Sequence, residues 1–195
     1  MQPSFRLLVF MGNYSQASSE SDYEKQLVEA CKRGDRAAQH TLYNRYAKAM
    51  YNTCLRMVRI QADAEDVLQN AFVDVFMKLD SFRFESTIGA WIKRIVINAC
   101  LNHLKKRKML TTDWDESIPI ADETREDAGE QEFQLSRVRR AIEELPDGYR
   151  TVLSLYLLEG YDHAEIGEIL EISETTSKSQ YSRAKQRVRE MLDRT

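Results

Sequence analysis

The sequence predicts an all-α protein of two small helical domains joined by an acidic linker. Three observations carry this. Only 7 glycines and 3 prolines interrupt 195 residues. Pro3, Pro119 and Pro146 all fall outside the long periodic stretches, so helices joined by short turns are expected. Apolar residues recur at spacings of three and four on both sides of residues 109–134. The charge is lopsided: Thr111 to Gln134 holds nine acids and one base, a net −8 within a chain of formal charge −3, which leaves the remainder at +5.

The elements follow in order. Residues 1–20 are expected to form a flexible leader, with Met11 an alternative start. Its longest apolar run, Leu7 to Met11, is too short for a secretory core or a membrane span. Ser21-Asp22-Tyr23-Glu24 has capping-box spacing and opens a helix ending at Gly34. Asp35 caps a longer helix whose apolar face holds Leu42, Tyr43, Tyr46, Met50, Tyr51, Cys54, Leu55 and Val58. A third begins at Ala62 and turns Val67, Leu68, Ala71, Phe72, Val75, Phe76 and Leu79 inward. A fourth runs from about Thr87 to Lys106 on Ile88, Ile92, Ile95, Val96 and Ala99, and its basic end, Lys105 to Lys108, suits the helix dipole. These make a first domain over 21–108.

The acidic linker over 109–134 lacks periodicity and is expected to be flexible or ordered by a partner. In the second domain, 135–195, Leu135, Val138, Ala141, Ile142 and Leu145 form a helix stopped by Pro146-Asp147-Gly148. Another spans Tyr149 to Leu158. Asp162-His163-Ala164-Glu165 caps a short helix to Leu170, and Ser173 caps the last, to about Leu192. The last pair, joined by Glu171-Ile172-Ser173, has the lengths of a helix-turn-helix.

Cys31, Cys54 and Cys100 are far apart and read as reduced, buried thiols of a cytosolic protein. His40, His103 and His163 are isolated, with solvated or capping roles expected. No nucleophile–base pair, phosphate loop or metal constellation is present, so neither catalytic residue, cofactor, metal nor small-molecule substrate is expected.

Three faces could carry function. In the last helix Ser177, Tyr181, Ala184, Val188 and Met191 step inward, which leaves Lys178, Ser179, Ser182 and Arg183 together on the other side. Arg and Lys can read guanine or hold phosphate, and Ser lets a helix sit close. A merely solvated polar face has the same pattern. On the fourth helix Asn98 and Asn102 share a face with Lys105. Amides suit the edge of an unpaired base, and the preceding loop with Phe82, Arg83, Phe84, Glu85 and Ser86 could hold an extruded one; asparagines facing water and phenylalanines in the core are the plainer reading. Asp63, Glu65 and Asp66 open the third helix, where acids stabilise the N-terminus or form a docking surface.

In combination, Asp63-Ala64-Glu65-Asp66-Val67-Leu68-Gln69-Asn70-Ala71-Phe72, Phe82-Arg83, Trp91 to Ile95 and Asn98 resemble the extracytoplasmic-function (ECF) branch of the sigma-70 family. So do Leu145-Pro146-Asp147-Gly148-Tyr149-Arg150, Tyr161 to Leu170 and Ile172 through Lys185, and the likeness runs from about Gln26 to Leu192. It implies a sigma factor whose first domain is region 2 and whose second is region 4. It places Asp63, Glu65, Asp66 and Gln69 on the coiled coil of the β′ subunit of core RNA polymerase, with the β subunit a further contact. Asn98, Asn102 and Lys105 then meet the −10 element, the loop around Ser86 captures a flipped base, and Lys178, Ser179, Ser182 and Arg183 read the −35 element of promoter DNA. The acidic linker would thread toward the active-site and RNA-exit channel. An anti-sigma factor, in the expected case membrane-bound, would hold the protein inactive in the cytoplasm until an external or envelope signal arrives. Four positions depart from the family pattern: Glu171 stands where Gly is usual in the turn, Gly167 where Ala is usual, Ser177 for Val and Gln180 for Arg. Gly167 is expected to loosen its helix slightly.

Overall fold

A computed structural model describes residues 22–110 and 130–193 of the chain. Among them the regular elements are helical: α1 (22–32), α2 (Arg36–Val58), α3 (Gln61–Lys78) with a 3-10 turn at Leu79–Ser81, α4 (Ile88–Leu110), α5 (Glu130–Glu143), α6 (Asp147–Leu157), α7 (His163–Leu170) and α8 (Glu174–Asp193). The expected leader and Ser21 lie outside the described residues, as does 111–129, the greater part of the expected linker; its two ends are helical, in α4 and α5. Contacts group the chain into two units. The first takes Glu65–Ala99 and the chain up to Asn52, and the second takes Thr53–Ala64 and the chain from Cys100.

In the first unit the boundary between α1 and α2 is set locally. Gly34 has φ 83° and its N–H bonds the Cys31 carbonyl at 3.0 Å, and the Asp35 carboxylate accepts from the N–H groups of Ala37 and Ala38 at 2.8 and 3.1 Å. That satisfies two donors the start of α2 would otherwise leave orphaned. Of the residues the periodicity selects on α2 and α3, Leu42, Val67, Leu68, Ala71, Phe72 and Val75 are buried, each worth about 1.5–3 kcal/mol when large and fully buried. Tyr43, Tyr46 and Phe76 are half-buried, and Ala38, outside the selected set, is buried too. On α4 Ile88, Ile92 and Val96 are buried as expected, together with Ile97, which the simple spacing passes over. Tyr46 meets Gly89, where a Cβ would stand 2.9 Å from the ring. Its hydroxyl donates to Glu24 at 2.8 Å; burial and then that carboxylate push the phenol up to about 12.

In the second unit α8 packs against α5, α6 and α7, around Leu145, Leu153 and Ala184 with Ile142, Tyr149, Tyr181 and Val188 against them. Leu135 and Val138 depart from the expected inward face of α5 and are 56% and 36% exposed. The unit also buries an arginine: Arg150 is wholly enclosed and donates to the carbonyls of Leu145 (2.8 Å) and Met57 (3.0 Å) and to Asp147 (2.6 Å). Nearby, Glu159 receives Arg56 and, at 3.1 Å, the Thr53 hydroxyl.

The helix-turn-helix forms as its caps dictate. Asp162 and Glu165 close a reciprocal capping box on α7, and the Ser173 hydroxyl accepts from Thr176 N–H at 3.0 Å on α8. Glu171 adopts the left-handed conformation (φ 57°, ψ 42°), which only glycine takes freely. Glu171→Gly is expected to raise stability by about 1 kcal/mol, read as a higher thermal midpoint. The Lys105 pair it removes, 3.7 Å apart and exposed on both sides, is worth little. Gly167 does more than loosen α7: a Cβ there would lie 2.9 Å from the Ile172 carbonyl oxygen, so glycine makes room for the turn.

Candidate nucleic-acid and polymerase interfaces

The amphipathic reading of α8 matches its exposure. Ser177 and Ala184 are buried and Tyr181 is half-buried, while Lys178, Ser179, Ser182 and Arg183 are exposed on the opposite face. Lys178 is held by Glu174 one turn back at 2.6 Å, and that carboxylate raises its ammonium above the usual lysine value. The Ser179 hydroxyl donates to the Thr175 carbonyl at 2.9 Å. Arg183 lines a cleft of about 270 Å³ with Tyr149, Gln186, Arg187 and Glu190.

The orientation of α8 has a source the spacing does not show. His163, the first residue of α7, hydrogen-bonds the buried Ser177 hydroxyl through Nδ1 at 2.9 Å, stacks on Tyr156 (4.5 Å between centroids) and meets Tyr181 edge-on at 5.5 Å. His163 thus joins the two helices of the motif rather than facing water. His103 likewise has a partner, Asp63.

The expected −10 residues are all exposed. Asn98, Asn102 and Lys105 lie along one side of α4, with Lys105 directed to Glu171. Ser86 belongs to a cleft of about 380 Å³ lined by Ser81, Phe82, Arg83, Glu85, Ser86 and Trp91. Phe82, 4% exposed, is both core and wall, whereas Phe84, 37% exposed, is not in the core and does not line this cleft.

On α3 the expected docking set divides. Glu65, Asp66 and Gln69 are exposed. Asp63 is half-buried and accepts from or pairs with His103 Nε2 at 3.1 Å, so its carboxylate is engaged by α4. The same side of α3 continues into Val73 and Met77, 56% and 76% exposed. An apolar patch bordering acids has the chemistry of a protein-docking surface. Val73 and Met77 fall off the inward face of this helix, and scattered apolar residues on an outer face carry no signal of their own in the sequence. Among the described residues no group of three His, Cys, Asp or Glu side chains could hold a metal, and no helix is long and apolar enough to cross a membrane.

A helix-turn-helix whose second helix exposes Lys178, Ser179, Ser182 and Arg183 has the form of a duplex-DNA-binding module. Residues 42–109 match Sigma-70 region 2, and residues 135–188 match Sigma-70, region 4. The ECF RNA polymerase sigma factor SigM of Mycobacterium tuberculosis is 30% identical over 184 residues, 94% of this chain and 88% of its own. The ECF RNA polymerase sigma-E factor of Escherichia coli is 30% identical over 181 residues, 87% of this chain and 94% of its own. The sigma factor RpoE of Bartonella quintana, solved in complex with the anti-sigma factor NepR, shares the fold: TM-score 0.60 at 23% identity over 79% of this chain and 96% of that one. The chain belongs to the ECF RNA polymerase sigma factors. It works in transcription initiation, with core RNA polymerase and promoter DNA as its partners.

Proposed function

We propose a division of labour among the three faces. Glu65, Asp66 and Gln69 of α3, extended by Val73 and Met77, dock on the β′ coiled coil, while Asp63 orients α3 through His103. Asn98, Asn102 and Lys105, with the Ser86 loop, take up the unpaired −10 strand. Lys178, Ser179, Ser182 and Arg183 read the −35 duplex. The observation that carries this is the split face of α8, whose polar residues are exposed while its small and aromatic residues are turned in on a capped helix-turn-helix. The protein catalyses nothing itself; by binding melted promoter better than duplex it shifts the equilibrium toward melting. A formal net charge of −3 makes isolated promoter binding weak, and affinity arises when polymerase holds both DNA-reading modules on one promoter. The acidic linker, residues 109–134, threads a basic channel of the polymerase. The protein acts in the cytoplasm, held by an anti-sigma factor, in the expected case membrane-bound, until an envelope signal releases it.

Run-off transcription with purified core polymerase on promoters selected from a randomised library tests the whole reading. Transcripts that depend on the protein and share two spaced sequence blocks are expected. Asp66→Arg, placed where an acid meets the polymerase, should abolish them and lower core affinity at least tenfold, since like charges in an interface cost several kcal/mol. Unchanged pull-down of core polymerase by that variant would remove α3 as the docking face.

A further inference from the structure

Lys32, the last residue of α1, is unusually enclosed for a lysine: its side chain is 18% exposed. Its ammonium donates to the Phe82 carbonyl, fifty residues on, at 3.1 Å, lies 5.0 Å from the centroid of the Phe84 ring and pairs with Glu29 one turn back at 3.2 Å. A single cation thus holds the loop after α3 at two points. The loop needs holding, because Phe84 has φ 60°, a conformation L-residues adopt only when their surroundings impose it. Phe84 leans on Phe82 at 4.9 Å, and Phe82 on Trp91 at 5.3 Å. Phe82 and Trp91 are walls of the 380 Å³ cleft. A continuous chain of contacts therefore runs from α1 to the place where a base would sit.

We infer that Lys32 is a positioning residue for promoter melting: it fixes the Phe82–Ser86 loop in the shape that receives an unpaired −10 base. The inference rests on the reading of that cleft as the base-receiving site. Lys32 touches no base, and the two contacts it makes with the loop, a charge-assisted hydrogen bond and a cation over an aromatic face, are ones arginine can reproduce and methionine cannot.

The test uses full-length protein assembled with core polymerase on the selected promoter, with 2-aminopurine at the −10 base expected to unstack. Lys32→Met keeps the length of the stem and loses both contacts. Open-complex fluorescence and run-off product should fall about tenfold, the combined size of one hydrogen bond and one cation–π contact. Core affinity and binding to a −35-only duplex should not change. Lys32→Arg should stay within about threefold of wild type. A purely structural lysine would instead lower the melting midpoint and all three activities together, and that result overturns the inference. So does an equal fall in both variants. Trp91→Ala separates this inference from the reading beneath it. If Trp91→Ala loses the signal while Lys32→Met keeps it, Lys32 has no positioning role; if neither changes the signal, the cleft receives no base and both ideas fail.

Discussion

Arg150→Ala is expected to lower the unfolding free energy by about 3–5 kcal/mol, the largest stability effect of any single substitution considered for this protein. The side chain is enclosed, and its N–H groups satisfy two main-chain carbonyls and one carboxylate. Burial opposes the charge and lowers the guanidinium from its ordinary value while Asp147 resists, yet an arginine stays charged throughout the accessible range. Truncation therefore leaves Leu145 and Met57 carbonyls without this donor, an acid without its nearest cation, and a hole. Arg150→Met separates the parts, since it fills most of the hole and restores no donor. Urea unfolding at neutral pH should find it between wild type and the alanine variant. A loss below about 1 kcal/mol for alanine would mean that water replaces the guanidinium at no great cost.

The same pair makes stability depend on acid. Burial alone would raise the Asp147 carboxyl, but Arg150 and then Arg107, 2.9 Å away, outweigh it and hold it below the usual carboxylate range. A carboxyl depressed in the folded state stabilises above its unfolded value, about 3.9. That stability disappears as pH falls through the lower folded value. Asp147→Asn should therefore be less stable than wild type at neutral pH and lose less on acidification below about pH 4.

Arg150 also marks the boundary of what one-dimensional reading can find. Caps were legible because their determinants lie within four residues: Asp35 on α2, the Asp162–Glu165 box on α7 and Ser173 on α8 all act on their own neighbours, whereas Glu171 stood out only against the family's usual Gly. The outward set on α8 was legible because helical periodicity alone separates it from Ser177 and Ala184. Arg150 reads locally as one more polar residue after a turn, yet one of its acceptors, Met57, is 93 residues away. Asp63 with His103, forty residues apart, and Lys32 with Phe82 are hidden for the same reason. The α5 face misleads in the other direction: Leu135 and Val138 keep the period of a core helix although they are not covered. Periodicity says which side of a helix is apolar, and only the tertiary fold says how far along that side the neighbours reach.

Arg183→Ala is expected to have the largest effect on promoter choice. Among the described residues Arg183 has no ion-pair partner, whereas Lys178 is held by Glu174; on the proposed reading of α8, the guanidinium would meet a base edge without first giving up an ion pair. A bidentate arginine–guanine contact is worth about 1–3 kcal/mol of discrimination, so transcription from the selected promoter should fall roughly 5- to 150-fold, with a smaller fall for Lys178→Ala. The loss should be confined to promoters carrying the base pair that Arg183 reads, and the variant should accept all four bases at that position almost equally. Run-off assays over single-base variants of the −35 block, repeated at several salt concentrations, measure both quantities. A uniform loss across every variant, with the salt slope reduced by about one counterion, would instead make Arg183 a phosphate clamp. Sequence reading by α8 would then fall to Lys178, a single point charge already paired with Glu174, and to Ser179 and Ser182, which are too short to discriminate strongly, so that more of the −35 preference would have to come from the shape of the duplex.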